Sequence, residues 1–172
     1  MIWVLVVGKV SYENSLDLFL VSRAFGASNI TIISPGRINT EQLIKKCNKI
    51  NRDWGGKVAI SFSNDINKFI KSKKNYIKIY LTRYGTPIKK VEYIIKTYKN
   101  ILLMLSMEEH EKRLYKIADF KISITNQPHS SEAAIAIFLH NFYNGRELAI
   151  HFENARYKIA PSGDSLHIEK IK

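Results

Sequence analysis

The sequence predicts an α/β fold, in which a mainly parallel sheet is covered by helices on both faces. Short apolar segments of strand length alternate with longer amphipathic segments of helix length along most of the 172 residues. This alternation favours parallel pairing, because a helix is the usual connection between two parallel strands. Segments such as residues 2–7 and 101–105 are apolar throughout, which is typical of strands that are buried on both faces.

Four predicted strands and three predicted helices occupy the first half of the chain. The strands cover residues 2–7, 29–33, 58–62 and 76–81. Of the helices between them, one is capped by Ser11 or Asn14 and closed by Gly26, one runs from Thr40 to near Trp54, and a short basic one covers 64–73. Each assignment rests on apolar residues that recur with the period of a helix or a strand, and on glycine or proline at the boundaries.

The second half continues the alternation and ends in short strands. The predicted elements are a helix over 89–98, a strand over 101–105, a charged helix over 108–117, a strand over 120–124, a helix over 130–144, and strands over 147–152, 156–159 and 166–171. Residues 133–139 are apolar on every side of their helix, so we expect this segment to be buried. We predict one α/β domain over 1–145, with 146–172 as a C-terminal strand extension of the same domain.

Positive charge is the strongest compositional feature of the chain. The net charge is +12, and residues 45–99 contain fifteen Lys or Arg against three acidic residues, a difference equal to the whole net charge. Such a basic block is typical of a nucleic-acid-binding surface. If the consecutive helices of this block lie side by side, their basic sides merge into one RNA-facing surface. The side chains predicted to bind RNA are Lys45, Lys46, Lys49, Arg52, Lys68, Lys71, Lys73, Lys74, Arg83, Lys89 and Lys90.

The composition also excludes several classes of protein. Cys47 is the one cysteine, so no disulfide forms within the chain, and the sequence has neither a metal-ligand spacing nor a Gly-x-Gly-x-x-Gly motif. Cys47 falls at an apolar position of a predicted helix, where core packing is its expected role. No apolar run reaches the length of a membrane span, and we expect a soluble, cytoplasmic protein without a bound metal.

A polar loop between a strand and a helix is the most distinctive stretch of the chain. After the alternating strand over 120–124, Pro128 blocks regular continuation, and Ser130 is positioned to cap a helix that carries Glu132 in its first turn. A loop beside a helix N-terminus offers unpaired N–H groups to a ligand. An ordinary strand-to-helix connection has the same pattern, so periodicity leaves both interpretations open. His129 is expected to form hydrogen bonds within this loop.

Five sequence fragments, taken together, point to one protein family. Residues 126–139 read NQPHSSEAAIAIFL, and the others are SRAFGA at 22–27, WGG at 54–56, LT and YG between 81 and 85, and the tail over 145–162. This set resembles the archaeal tRNA cytidine-56 2′-O-methyltransferase family, a branch of the SPOUT superfamily. The resemblance implies a SPOUT-type trefoil knot in the C-terminal part of the domain, an exception to ordinary chain topology. It also implies a homodimer packed through helices next to the knot.

The resemblance further implies an S-adenosylmethionine site. In the family this cofactor lies among three loops that leave the parallel strands, which is the usual ligand position in open α/β sheets. The residues that correspond to these loops are Leu81, Gly85, Ser106, Met107, Glu108, Ile124, Asn126, Gln127, His129 and Ser130.

Two functional regions depart from the family pattern. Where relatives resemble Gly-Ala-Glu-Lys-Val-Pro, this chain has SMEEH at 106–110, and a Cβ in such a turn can block the approach of a ligand. The loop after the first strand is short, and no arginine precedes Arg23. Methyl transfer to a hydroxyl needs a base or a cation beside the oxygen, and Lys9, Tyr12 or Asp17 are the remaining candidates. Catalytic residues are therefore not assigned.

These departures favour a catalytically degenerate, SPOUT-like protein that binds structured RNA. The RNA is tRNA, or ribosomal RNA on the ribosome, and the cofactor pocket is expected to be partly eroded. The alternative is an active enzyme that transfers methyl from S-adenosylmethionine to the ribose of tRNA cytidine-56. A third hypothesis, a protein-interaction scaffold, explains the apolar helix but leaves the basic charge without a role.

Overall fold

The computed structural model describes residues 1–108 and 111–171, and its centre is a six-stranded sheet. The elements are β1 Ile2–Val7, α1 Tyr12–Ala24, β2 Asn29–Ile33, α2 Thr40–Trp54, β3 Ala59–Phe62, α3 Ile66–Ser72, β4 Ile77–Pro87, α4 Ile88–Ile95, β5 Ile101–Ser106, α5 Lys112–Ile117, β6 Phe120–Ser123, α6 Ser131–Tyr143, β7 Tyr157–Ala160 and β8 His167–Lys170. The strand order is β3-β2-β1-β5-β4-β6, and all five pairings are parallel. The predicted fold class is confirmed.

Helices cover both faces of this sheet. Apolar residues of α1, α2, α4 and α6 pack with Ile2, Val4 and Val6 of β1 in one buried cluster. Leu5, which points to the other face, packs with residues of α3 and α5 in a second cluster. Neighbouring contacts give the order α2-α1-α6-α4 across the first face.

The position of α3 on the second face follows from the strand order. Strand β3 lies at one edge of the sheet, and the chain must pass β2, β1 and β5 to reach β4. This direction is opposite to that of the two preceding crossovers. Because crossovers between parallel strands are right-handed, a reversal of direction moves the connecting helix to the other face.

Strand β4 extends further than predicted, and its continuation folds back against β6. Leu81 pairs with Ile122, and after a register shift Thr86 also pairs with Ile122. Residues 82–85 therefore leave the ladder as a loop and return to it. A Cβ built on Gly85 meets the backbone nitrogen and carbonyl carbon of Ile122 at 2.5 Å, so glycine is required where the loop crosses β6.

The C-terminal extension forms fewer strands than predicted. The expected strand over 147–152 is instead a short 3₁₀ helix, Arg146–Ala149. Asn144 and Gly145 both have left-handed backbone angles, which turn the chain back onto α6, and the buried Glu147 carboxylate lies 2.6 Å from His140 Nδ1. Beyond this turn, β7 and β8 form a separate antiparallel pair.

Buried Arg23 connects this extension to the main body. Its guanidinium donates to the carbonyl oxygens of Trp54 and Gly55, at 2.7 and 2.6 Å, and lies 4.4 Å from the centre of the Phe152 ring. The arginine thereby binds carbonyls at the end of α2 and supports the segment that leads to β7.

Helix α6 is less buried than its apolar sequence predicted. Residues 133–139 were expected to be buried on all sides, but Ile137 is 44 % exposed and Ala133 and Ala136 are only partly covered. The helix packs on α1, α4 and the sheet from one side, and its opposite side, which carries Ile137, faces outward in the single chain.

The burial of Cys47 and the length of the helices bear on two further predictions. Cys47 is 1 % exposed, and burial raises the pKa of its thiol to about 11, so the expected core role is confirmed. Among the described residues, no helix is both long and apolar enough to span a membrane.

Candidate functional site

A cavity of about 390 Å³ lies at the carboxyl end of the sheet, where β4, β5 and β6 finish. Three loops and the first turns of α1 and α6 surround it. The residues that line it are Asn14, Tyr80, Leu81, Thr82, Arg83, Tyr84, Leu105, Ser106, Met107, Glu108, Ile124, His129, Ser130, Ser131, Glu132 and Ala134. Its size and its mixture of apolar and polar walls are typical of small-molecule sites.

Seven of the ten residues assigned to the cofactor from the sequence line this cavity. They are Leu81, Ser106, Met107, Glu108, Ile124, His129 and Ser130. The other three, Gly85, Asn126 and Gln127, do not line it and have positions that shape the loops instead. Gly85 lies where the 82–85 loop passes over the backbone of β6. The Asn126 side chain donates to the Arg83 carbonyl at 2.5 Å, and the Gln127 N–H donates to Thr125 Oγ1 at 3.3 Å.

Nine further residues line the cavity. Four of them, Thr82, Arg83, Tyr84 and Ser131, lie in the first and third of the loops that the resemblance assigns to the cofactor, and Arg83 was also assigned to RNA. Tyr80, Leu105 and Glu132 were not assigned, although each adjoins one of the three loops. Asn14 and Ala134 come from helices, and their approach to the cavity depends on how α1 and α6 pack. Only Asn14 carried a sequence signal, as one of two candidate caps, although the observed cap of α1 is Ser11.

The second loop forms without the glycine that the family pattern led us to expect. Among the described residues, Asn144 and Asn154 are the non-glycine residues with positive φ, so Ser106, Met107 and Glu108 adopt ordinary backbone angles. Ser106 Oγ accepts the Glu108 N–H at 3.0 Å, which closes the turn. These three residues line the cavity and leave it open. Glu109 and His110 lie outside the described residues.

The third loop presents a capped helix N-terminus beside the cavity. Ser130 Oγ accepts the Ala133 N–H at 3.2 Å, as the sequence predicted. His129 Nδ1 lies 3.0 Å from the Ser130 carbonyl oxygen, which confirms its hydrogen-bonding role in the loop. Because a carbonyl only accepts, the neutral ring carries its proton on Nδ1 and keeps a lone pair on Nε2. Arg83, Glu108 and Glu132 add charges of both signs to the cavity wall.

The predicted basic helices do not form one continuous surface. Helices α2 and α4 share a face of the sheet but are separated by α1 and α6, whereas α3 lies on the other face. The RNA-binding residues assigned from the sequence are therefore divided among separate elements: Lys45, Lys46, Lys49 and Arg52 on α2; Lys68, Lys71, Lys73 and Lys74 on or just after α3; Lys89 and Lys90 in the first turn of α4; and Arg83 at the cavity. The order of the helices in the chain led us to expect that their basic sides form one surface, and this expectation is wrong. The crossover before β4 changes direction and places α3 on the other face, and α1 and α6 lie between α2 and α4.

Comparison with known sequences identifies the family. The family described as tRNA ribose 2′-O-methyltransferase, aTrm56, matches residues 54–169. The tRNA (cytidine(56)-2′-O)-methyltransferase of Staphylothermus marinus is 36% identical over 155 residues, covering 88% of this chain and 82% of the relative. Its counterpart in Sulfurisphaera tokodaii is 38% identical over 155 residues, covering 88% of this chain and 89% of the relative.

Solved structures support the same fold at low sequence identity. The SpoU methyltransferase AviRb from Streptomyces viridochromogenes, crystallised with AdoMet, has a TM-score of 0.61 at 10% identity, over 84% of this chain and 57% of that one. The A. aeolicus TrmH/SpoU tRNA-modifying enzyme has a TM-score of 0.59 at 17% identity, over 85% of this chain and 75% of that one. Taken with the sequence matches, these findings show that the chain belongs to the archaeal tRNA cytidine-56 2′-O-methyltransferase family of the SPOUT superfamily.

Proposed function

We propose that this protein is an active methyltransferase that moves a methyl group from S-adenosylmethionine to the ribose 2′-oxygen of cytidine-56 in tRNA. The observation that carries the proposal is the open cavity at the carboxyl end of β4, β5 and β6. It is bounded by the three loops that the family resemblance assigns to the cofactor, in a chain that belongs to the family.

The lining of the cavity fits S-adenosylmethionine. Leu81, Leu105 and Ile124 provide apolar walls for an adenosine group, and Ser106 and Ser130 provide polar groups for its ribose. The carboxylate of the methionine part suits Arg83, and its positive sulfonium suits Glu108 or Glu132. When bound, the cofactor supplies a methyl group activated by that sulfonium.

We assign His129 as the group that receives the proton of the ribose hydroxyl. His129 lines the cavity, and an Nδ1–H that donates to the Ser130 carbonyl leaves Nε2 as the acceptor nitrogen of the ring. The N-terminal candidates Lys9, Tyr12 and Asp17 do not line the cavity, and the residue of that segment that does is Asn14. An amide cannot serve as a base, so Asn14 is suited to orient a substrate hydroxyl.

The hypothesis of a degenerate, ribosome-bound RNA-binding protein has less support. It rested on a second loop that lacks glycine and on a short N-terminal loop. The second loop adopts ordinary backbone angles and leaves the cavity open, and the curated relatives are methyltransferases.

The test is methyl transfer to tRNA that lacks the modification. The protein is incubated with S-adenosylmethionine and the tRNA, and nuclease digestion with mass spectrometry measures 2′-O-methylcytidine at position 56. We expect complete dependence on both substrates, and no product from a tRNA with 2′-deoxycytidine at that position, because it has no acceptor oxygen. Absence of product from the unmodified tRNA would favour the RNA-binding hypothesis.

We also propose that the outer face of α6 is covered by a second copy of the chain. Ile137 on α6 and Leu20 on the adjoining α1 are 44% and 37% exposed, and the family resemblance implies a homodimer packed through helices. Sedimentation of the protein should give a dimer, and Ile137→Glu should give a monomer, because the charge would be buried at the interface. A monomeric parent protein would contradict this proposal.

A further inference from the structure

A second cavity lies next to the candidate cofactor cavity and has aromatic walls. Its volume is about 380 Å³, and its lining residues are Tyr80, Thr82, Tyr84, Glu111, Lys112 and Tyr115. We call it the aromatic cleft. Tyr80, Thr82 and Tyr84 line both cavities, so a single wall separates the two.

The three tyrosines of the cleft have different degrees of burial. Tyr80 is 4% exposed, and its burial raises the pKa of its hydroxyl, with a smaller contribution from the charge of Glu111. Tyr84 and Tyr115 are 62% and 47% exposed. The rings of Tyr80 and Tyr115 meet edge to face at 6.5 Å, so the buried ring supports the exposed one.

We propose that the aromatic cleft binds a nucleobase of the RNA substrate by stacking, and this inference rests on the proposed function. Proteins that recognise RNA bases outside a helix commonly stack them on tyrosine or other aromatic rings. Because the two cavities share a wall, one RNA segment can reach both. Its acceptor ribose would then lie at the cofactor cavity, and one of its bases would stack against Tyr115 in the aromatic cleft.

Cations at the rim are compatible with an RNA segment in this cleft. Lys112 lines it, and Lys121 Nζ lies 5.5 Å from the centre of the Tyr115 ring. Glu111 is the acidic residue of the lining, and its carboxylate accepts the Arg113 N–H at 3.0 Å as the cap of α5. Lys121 already donates to the Ala118 carbonyl at 2.7 Å, so the cleft offers aromatic faces for a base and the ammonium of Lys112 for a flanking phosphate.

Variants of Tyr115 test whether its ring contributes to RNA affinity by stacking, because they change neither the charge of the cleft nor a residue of the cofactor cavity. Tyr115→Ala removes the ring, Tyr115→Leu removes it but retains apolar contact with Tyr80, and Tyr115→Phe keeps it. Tyr93→Ala is the matched control, because Tyr93 is 70% exposed on α4 and lines neither cavity. Affinity for unmodified tRNA is measured by fluorescence anisotropy at several salt concentrations, and affinity for S-adenosylmethionine by calorimetry.

The expected result is a loss of RNA affinity of roughly 5- to 150-fold in Tyr115→Ala and Tyr115→Leu, the range that a stacked base contributes. Tyr115→Phe and Tyr93→Ala should bind like the parent. The salt dependence should keep its slope, since no ion is released by stacking, and cofactor affinity should not change.

Two results would overturn the inference. Unchanged RNA affinity in Tyr115→Ala and Tyr115→Leu would exclude a stacked base, and a loss of cofactor affinity instead would assign the cleft to the adenine of the cofactor. These measurements do not require turnover. A failure of methyl transfer by the parent protein would therefore contradict the proposed function without deciding whether the cleft binds a base.

Discussion

Aromatic rings and cationic side chains meet at both ends of the sheet, but with different consequences. At the amino end, Lys73 Nζ lies 3.1 Å from the centre of the Trp3 ring, with the rings of Phe69 and Tyr76 at 5.5 and 5.3 Å. At the carboxyl end, Tyr84 and Tyr115 line an open cleft beside Lys112. In the first group an ammonium lies directly over the Trp3 ring, whereas the second group lines a cavity of about 380 Å³.

The direction of the strands explains this difference. In a parallel sheet the loops that follow the strands gather at one end, and the helices begin there, so their unpaired N–H groups face the same side. Lys89 and Lys90 in the first turn of α4 belong to this end. Lys71 and Lys74, at the finish of α3, belong to the other. Net charge alone does not distinguish the two groups.

The strongest test of the carboxyl end is substitution of Gly85 by alanine. The new Cβ would meet the backbone of Ile122 at 2.5 Å, so the 82–85 loop or β6 must shift. We expect a loss of about 3 kcal/mol, which lowers Tm by roughly 6–12 °C in a chain of this size, and loss of cofactor binding. Thermal denaturation and calorimetry measure the two effects.

Gly163→Ala is the matched control, because nothing lies within 4 Å of a Cβ at that position. It should leave both quantities unchanged. Equal melting temperatures for Gly85→Ala and Gly163→Ala would contradict the close crossing of β4 and β6.

Two double substitutions compare the cations of the two ends. Lys89→Gln with Lys90→Gln should weaken tRNA binding and reduce the slope of log affinity against log salt concentration by roughly 0.7–0.9 for each phosphate contact that is lost. Lys71→Gln with Lys74→Gln removes the same charge at the amino end and should leave the slope unchanged. Anisotropy titrations between low and moderate salt measure both. If the Lys71 and Lys74 pair lost more tRNA affinity than the Lys89 and Lys90 pair, the RNA-binding surface would instead include α3.

A smaller effect is expected from Lys73, which the sequence assigned to RNA. Its ammonium lies over the Trp3 ring, and partial burial lowers its pKa. Lys73→Gln should lower the free energy of unfolding by about 0.5–1 kcal/mol through the loss of this cation–π contact, without changing tRNA affinity. Chemical denaturation measures the stability, with exposed Lys74→Gln as the control. A loss of tRNA affinity without a loss of stability would restore Lys73 to the RNA surface.

Local sequence patterns predicted the elements, and the family resemblance predicted seven of the residues that line the cavity. The period of apolar residues located the six strands of the main sheet, and Ser130 caps α6 as expected. These features depend on neighbours in the sequence, and so did the assignment of loop residues from the family motif.

Features that depend on strand order were not accessible from the sequence. The face occupied by α3 follows from the reversal before β4, which no local pattern encodes. Tyr80 and Tyr115 lie on separate elements, and only the pairing of β4 with β6 and the packing of α5 bring their rings together. The return of β4 after residue 85 was missed because the sequence there has the polar, glycine- and proline-containing character of an ordinary loop.

Calorimetry with S-adenosylmethionine tests the central claim that the cavity at the carboxyl end is a working cofactor site. The parent protein should bind the cofactor with micromolar affinity or better. Ser106→Phe places a ring in the cavity and should abolish binding, whereas Ser162→Phe, at an exposed position of the C-terminal extension, should bind like the parent. No heat from the parent protein, or undiminished binding by Ser106→Phe, would contradict the account.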